Sequence, residues 1–242
     1  MKRAMHIQNS VKAAVIVAAI FALSGQAHAE VLPAFANGGF EGYLGDTNWH
    51  NSAVPPGWTT TGGTPDTFDG DTDFGGYTWV ASSTGGQFLH GIGWQPSWTE
   101  SAVQDALSGL VIGQEYEISF EQSISYSAWA HTGGYWRIKF GTEVHDSDPM
   151  AMPASGVAAG WDWQTMIFTA TAETQSLYVS AMSDTDYLRT DLGIDSFYLG
   201  SPGGNPDNPD NPPNATIPAP AATVLAMLGT ALVGWLRRRQ TL

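Results

Sequence analysis

The chain has 242 residues, 43% hydrophobic and 13% charged, with 28 glycines and no cysteine. That length and apolar share suffice for a sizeable β core, sparse charge argues against coiled coils, and missing thiols exclude disulfides, thiolate metal sites and cysteine nucleophiles. Residues 30–216 keep only Arg137, Lys139 and Arg189 against all 23 acids, which excludes nucleic acid and anionic lipid as charge-driven partners and leaves cations and neutral ligands.

In chain order, Lys2, Arg3 and Lys12 precede an apolar run from Ala13 to Leu23 and a small-x-small step at Ala27-His28-Ala29. Residues 1–29 therefore read as a secretory signal peptide with the mature start near Glu30. The run is shorter than the ~20 residues a membrane span needs, which disfavours an uncleaved anchor. Residues 30–200 show short alternating runs broken by Gly, Pro, Asn and Asp. In Glu115 to Ser123, Tyr116, Ile118 and Phe120 share one side and Glu115, Glu117, Ser119 and Glu121 the other, the two-residue period of a strand with one buried face. Trp136, Ile138 and Phe140 repeat it, with Arg137 and Lys139 outward. The apolar mixture around Met166 to Ala170 suggests a strand covered on both faces. Further strands are expected at Phe35–Glu41, Tyr77–Ser82, Gln87–Ile92, Ser101–Leu107, Leu177–Ala181 and Ile194–Leu199. The expected fold class is all-β: a single two-sheet antiparallel β-sandwich of jelly-roll type.

Residues 201–216 form a spacer, SPGGNPDNPDNPPNAT, in which an Asn-Pro-Asp step recurs. Proline fixes φ and disfavours helix in the preceding residue, so extension is expected. Residues 217–242 join Ile217-Pro218-Ala219-Pro220, an apolar stretch from Ala221 to Leu236, and Arg237-Arg238-Arg239. As a helix, Ile217 to Leu236 would reach about 30 Å and just cross a bilayer, with the arginines on the cytoplasmic side.

This tail resembles the PEP-CTERM sorting signal of exosortase systems: Pro-x-Pro, an apolar helix and closing arginines, with Ala219 where that signal usually has Glu. The resemblance implies an exported protein, held in the inner membrane through its C-terminal helix at least transiently, handled by exosortase-like processing machinery and displayed at the cell surface. A permanent anchor is the alternative. The body carries a second resemblance. Asn37-Gly38-Gly39-Phe40-Glu41 opens it, followed by Pro56-Gly57-Trp58, Leu107-Ser108-Gly109-Leu110 and Gly113-Gln114-Glu115-Tyr116-Glu117-Ile118-Ser119-Phe120. Gly193-Ile194-Asp195-Ser196-Phe197-Tyr198-Leu199 closes it. In that order the segments resemble galactose-binding-like jelly rolls, including carbohydrate-binding modules.

That resemblance implies a structural calcium held by Glu41 and Asp195, where first and last segments meet. Calcium wants several hard oxygens, and a cysteine-free domain could use a metal to tie down its terminal strands. A second metal candidate is Asp66, Asp69, Asp71 and Asp73, in the run PDTFDGDTDFGG, against the plainer reading of a solvated acidic turn, since no bidentate acid follows. Most of the ten tryptophans fall between residues 49 and 163. Trp58, Trp94, Trp98 and Trp129 stand near Gly, Pro or loop residues and are the candidate glycan platforms, because flat rings stack on the apolar faces of sugars. Trp136 and Trp163 lie inside strand patterns and are assigned to the core. No helical zinc spacing, Gly-x-Ser-x-Gly elbow, phosphate loop or Glu-x-Asp-x-x-Glu strand occurs. The expectation is a secreted, non-catalytic binder of extracellular polysaccharide. A structural protein of the envelope or biofilm matrix and a glycan hydrolase are the alternatives.

Overall fold

The computed structural model describes residues 33–47, 52–70 and 76–203. The signal peptide, Trp49, Asp71, Asp73, most of the spacer and the C-terminal sorting segment lie outside them. In chain order the strands are β1 (Trp58–Gly62), β2 (Asp66–Asp69), β3 (Gln87–Trp94), β4 (Trp98–Thr99), β5 (Ser101–Ser108) and β6 (Glu115–Ile124), followed by β7 (Gly134–Phe140), β8 (Glu143–Asp146), β9 (Asp162–Thr169), β10 (Thr174–Ser183) and β11 (Thr190–Gly200). No helix occurs among the described residues. All pairings are antiparallel, in two sheets ordered β1-β5-β10-β7-β8 and β2-β3-β11-β6-β9, with β4 added on β3. The chain is an all-β two-sheet sandwich.

Alternation builds the space between the sheets. Tyr116, Ile118, Phe120 and Ile124 of β6 meet Trp136, Ile138 and Phe140 of β7 and Leu177, Val179 and Ala181 of β10 in one buried cluster. Burying one such large side chain stabilises the fold by roughly 1.5–3 kcal/mol. The Trp136 indole crosses this layer and donates to the Gly193 carbonyl of the facing sheet at 2.9 Å. Glycine is required opposite it: a Cβ at Gly91 would come within 2.8 Å of the Trp136 ring, and one at Gly93 within 2.6 Å of the Ser183 backbone nitrogen.

The first and last segments lie side by side. The Phe197 N–H donates to the Gly38 carbonyl at 2.9 Å, and Phe35, Phe40 and Trp58 all pack on the Phe197 ring. The register of β11 shifts between Asp195 and Tyr198, a bulge at which Ser196 takes φ +59°.

Several expectations are corrected. Residues 35–41 form a turn, because Asn37 turns the chain back on itself: its side chain accepts the Glu41 N–H and donates to the Glu41 and Pro56 carbonyls. Residues 77–82 pair with no strand and instead lie over β11 as a strap. β9 is covered on one face, leaving Ile167 exposed. Conversely, Glu117 and Glu121 on the polar side of β6 are buried, because that outer face is covered too.

Candidate functional site

The strap explains why the second sheet is covered on both sides. Tyr77 and Trp79 descend onto Phe68 of β2 and Phe88 of β3, with Trp161 packed against them, forming a separate aromatic cluster outside the sandwich. Gly193 lies beneath it, where a Cβ would come within 3.0 Å of both the Trp161 and Trp79 rings. Trp161 donates to the Val80 carbonyl at 2.7 Å and holds the strap down.

At one end of the strap lies a groove of about 450 Å³. Trp94, Trp98 and Trp129 stand around it, 42%, 43% and 40% exposed, with Thr64, Ile92 and Arg189 completing the wall. Each indole is held. Trp94 and Trp98 face each other across the short β3–β4 hairpin. Trp94 Nε1 donates to the Tyr187 carbonyl at 2.9 Å, and Trp98 Nε1 to Glu100 at 3.3 Å. The Arg189 guanidinium lies 5.6 Å over the Trp129 ring. Such a wall loses little freedom when a ligand arrives.

The floor is a buried ionic network centred on Asp191 of β11. Its carboxylate accepts from Arg189 at 2.6 Å, Ser127 Oγ at 2.6 Å, Tyr77 Oη at 3.0 Å and His90 Nε2 at 3.3 Å. The His90 ring stacks flat on Phe68 at 4.3 Å. Its Nδ1 stands 3.7 Å from Asp66, a charge attraction beyond hydrogen-bond range, and has no hydrogen-bond partner. Burial pulls the His90 pKa down, but the hydrogen bond to Asp191 and the charges of Asp191 and Asp66 outweigh it and raise it to about 9. Burial pushes Asp191 the other way, and His90 and Arg189 together hold it well below the usual carboxylate range. Burial raises the Glu100 pKa, opposed by His90, the Ile92 N–H and Trp98. Glu100 accepts from the Ile92 N–H at 2.8 Å and from Thr64 at 3.2 Å as well, so its oxygens position the wall.

At the strap's other end stands a second buried acid. Asp195 Oδ2 accepts from Ser82 and Thr84, while Oδ1 is buried without a hydrogen-bond partner. Beside it, across the β6–β11 pairing, Glu121 Oε2 accepts from Ser83 N and Oγ at 3.0 and 2.7 Å and from Ser196 Oγ at 2.8 Å. Burial pushes the Asp195 pKa up to about 8, and the Glu121 charge adds to that. Two carboxylates, one with an orphaned oxygen, and four hydroxyls make a hard-oxygen donor set of the type calcium uses. Among the described residues no group of three or more His, Asp or Glu side chains could hold a metal.

The sequence-derived candidates sort as follows. Trp94, Trp98 and Trp129 come together at the groove. Trp58 is corrected to the core: it is 6% exposed, stacked on Phe40 at 4.5 Å, and its indole donates to the Asn37 carbonyl. Glu41 and Asp195 reach the same segment at different points, Glu41 accepting the Gln87 N–H at 3.0 Å, and the acid beside Asp195 is Glu121. Asp66 and Asp69 sit on β2 rather than in a loop, three residues apart and so on opposite faces: Asp66 faces His90 and Asp69 accepts from Thr47. Trp163 is half-buried and lines a separate polar cleft with Gln122, Asp148 and Gln164. Sequence reasoning missed Tyr77, His90, Glu100, Arg189 and Asp191. Arg189 and Asp191 had one signal, since Arg189 is one of three basic residues in the body.

No family model and no curated protein sequence matches the chain. Among solved structures, a xylan-binding domain of CBM22 shares 15% identity over 72% of this chain and 97% of its own, with a TM-score of 0.43. TmCBM61 in complex with β-1,4-galactotriose shares 12% over 66% and 99%, at 0.35. The CBM22-1–GH10 modules of Clostridium thermocellum xylanase 10B, complexed with xylohexaose, share 13% over 73% of this chain and 29% of that one, at 0.40. This chain spans 19% of the enzymatically active domain of a bacteriophage CBA120 tailspike protein, so it covers well under two thirds of several proteins it resembles. The similar structures thus include carbohydrate-binding modules of β-sandwich fold, and at these scores the likeness carries no statement about ligand.

Proposed function

We propose that the chain is an exported cell-surface β-sandwich whose groove binds extracellular polysaccharide without catalysis. The observation that carries the reading is three half-exposed indoles, each fixed by its own partner, around a floor of buried polar groups. Indoles offer flat apolar faces for sugar rings, and a fixed polar floor orients hydroxyls. His90 and Arg189 both face Asp191, and His90 faces Asp66 as well, so two cations meet two acids and the groove keeps no surplus positive charge. With the strongly acidic body, this favours neutral glycans over uronate-bearing ones. Glu100, the acid best placed to act on a bound sugar, is committed to three donors of the wall, which favours binding over hydrolysis.

The test is a glycan array on the full chain beside Trp94→Ala and Trp98→Ala. Binding to a neutral polysaccharide, weakened at least tenfold in each variant, is expected. No binding to any glycan removes the reading in favour of a matrix protein, and release of reducing ends revives a hydrolase.

Two further parts belong to the same proposal. Residues 1–29 direct export and residues 217–242 hold the chain in the inner membrane until exosortase-like processing. Deleting residues 217–242 is then expected to release the body into the medium, and retention on cells counts against the tail as anchor. Calcium binds between Asp195 and Glu121, with Ser82, Thr84 and Ser196 in support, and its role is to tie the closing strand to the strap.

A further inference from the structure

Bonded to the groove's Trp94 is a residue with a strained backbone. Tyr187 takes φ +63°, a left-handed conformation in which a bulky side chain is a genuine outlier. Two hydrogen bonds hold it there: its N–H donates to the Gln95 carbonyl at 2.6 Å, and its carbonyl accepts the Trp94 indole at 2.9 Å. Gln95 is braced in turn, accepting the Ser183 N–H at 2.7 Å and donating to Thr99 and to the Ala181 carbonyl. The backbone of Tyr187 therefore fixes Trp94.

Its side chain plays no part in that. The ring is 68% exposed, more than any other aromatic among the described residues, and adds little to the core. Glycine would give the same carbonyl and the same turn without strain. An exposed aromatic kept at a strained position, next to an indole of the groove, has its use outside the folded chain.

We propose that Tyr187 forms an outer subsite of the groove, stacking on a sugar unit beyond those held by Trp94 and Trp98. The ligand is then a run of several neutral sugar units rather than a single residue or a chain end. This inference rests on the groove binding glycan.

The experiment measures binding of the full chain, and of its Tyr187→Gly and Tyr187→Phe variants, to three- and six-unit xylan, cellulose and β-1,4-galactan oligosaccharides by calorimetry. In the series that binds, the six-unit ligand is expected to bind about tenfold tighter than the three-unit one, the size of one aromatic stacking contact. Tyr187→Gly should lose that gain, keep three-unit affinity within about twofold and melt no lower than the parent. Tyr187→Phe should keep the gain. Equal affinity for both lengths, or a glycine variant that binds six units as tightly as the parent, overturns the outer subsite while leaving the groove intact. A glycine variant weakened equally for both lengths assigns Tyr187 to Trp94 positioning and overturns it too. No binding by any series overturns the groove reading and this inference together.

Discussion

Asp191 and Asp195 stand four residues apart on the same strand, both fully buried, one under each end of the strap. Their pKa values move in opposite directions. Asp191 is flanked by two cations, His90 and Arg189, and is held ionised. Asp195 is flanked by hydroxyls and a second acid, Glu121, and is pushed up to about 8. Burial is common to both, so the partners decide the outcome. The groove end is internally compensated and presents a fixed polar floor. The other end has a deficit that a proton, or a cation from outside, fills.

The largest effect expected on breaking this contrast is at Asp191. Asp191→Ala leaves the buried His90 and the partly buried Arg189 without their shared partner and should destabilise the domain by about 3–5 kcal/mol in urea titration. A loss below ~1 kcal/mol would show that the two cations find other partners. Next in size is calcium. At a hundredfold excess over its dissociation constant it should add about 2.7 kcal/mol. For a domain of this size that raises the melting temperature by roughly 5–10 °C over an EDTA control. Asp195→Ala should abolish the gain, and Glu41→Ala should keep it. Loss in Glu41→Ala as well restores the Glu41–Asp195 pairing expected from sequence.

The smaller effect is in pH. Asp195 keeps a proton in the folded state up to about 8, far above its ordinary 3.8. Its contribution is complete below 3.8 and is lost as pH rises through 8, so metal-free stability should fall across that window. His90, raised from 6.5 to about 9, adds a decline that begins above 6.5 and ends past 9. Asp191 has the reverse sign, its contribution present above 3.8 and lost in stronger acid. In Asp195→Asn the fall between 3.8 and 6.5 should vanish and the His90 part remain. An unchanged slope would place the titration elsewhere.

The sandwich itself was legible because apolar residues recur at every second position in β6, β7 and β10, which marks the face turned to the core even where, as in β6, the other face is covered too. β1, β2 and β8 were not: WTTTG, DTFD and EVHD are mostly polar words whose strand state comes from a neighbour's ladder. The strap reads as a strand because Tyr77 and Trp79 do alternate, although what they cover is the outside of a sheet. Trp94, Trp98 and Trp129 could be picked as loop aromatics. Trp58 could not be told from them, because its proline-glycine flank looks alike whether the ring turns outward or onto Phe40. The ionic floor was illegible for a different reason. His90, Glu100 and Asp191 come from three separate strands or their connections, and only a folded sheet brings them together.

The closing strand also gives the domain a direction. From Asp191 to Gly200 it advances nine residues, about 30 Å at a strand's rise. The opening turn at Gly38 is tied to its far half. Both described chain ends thus leave from the pole opposite the groove. The indoles stand at the opposite tip of the domain from both of these ends, as a hook is turned outward from its line.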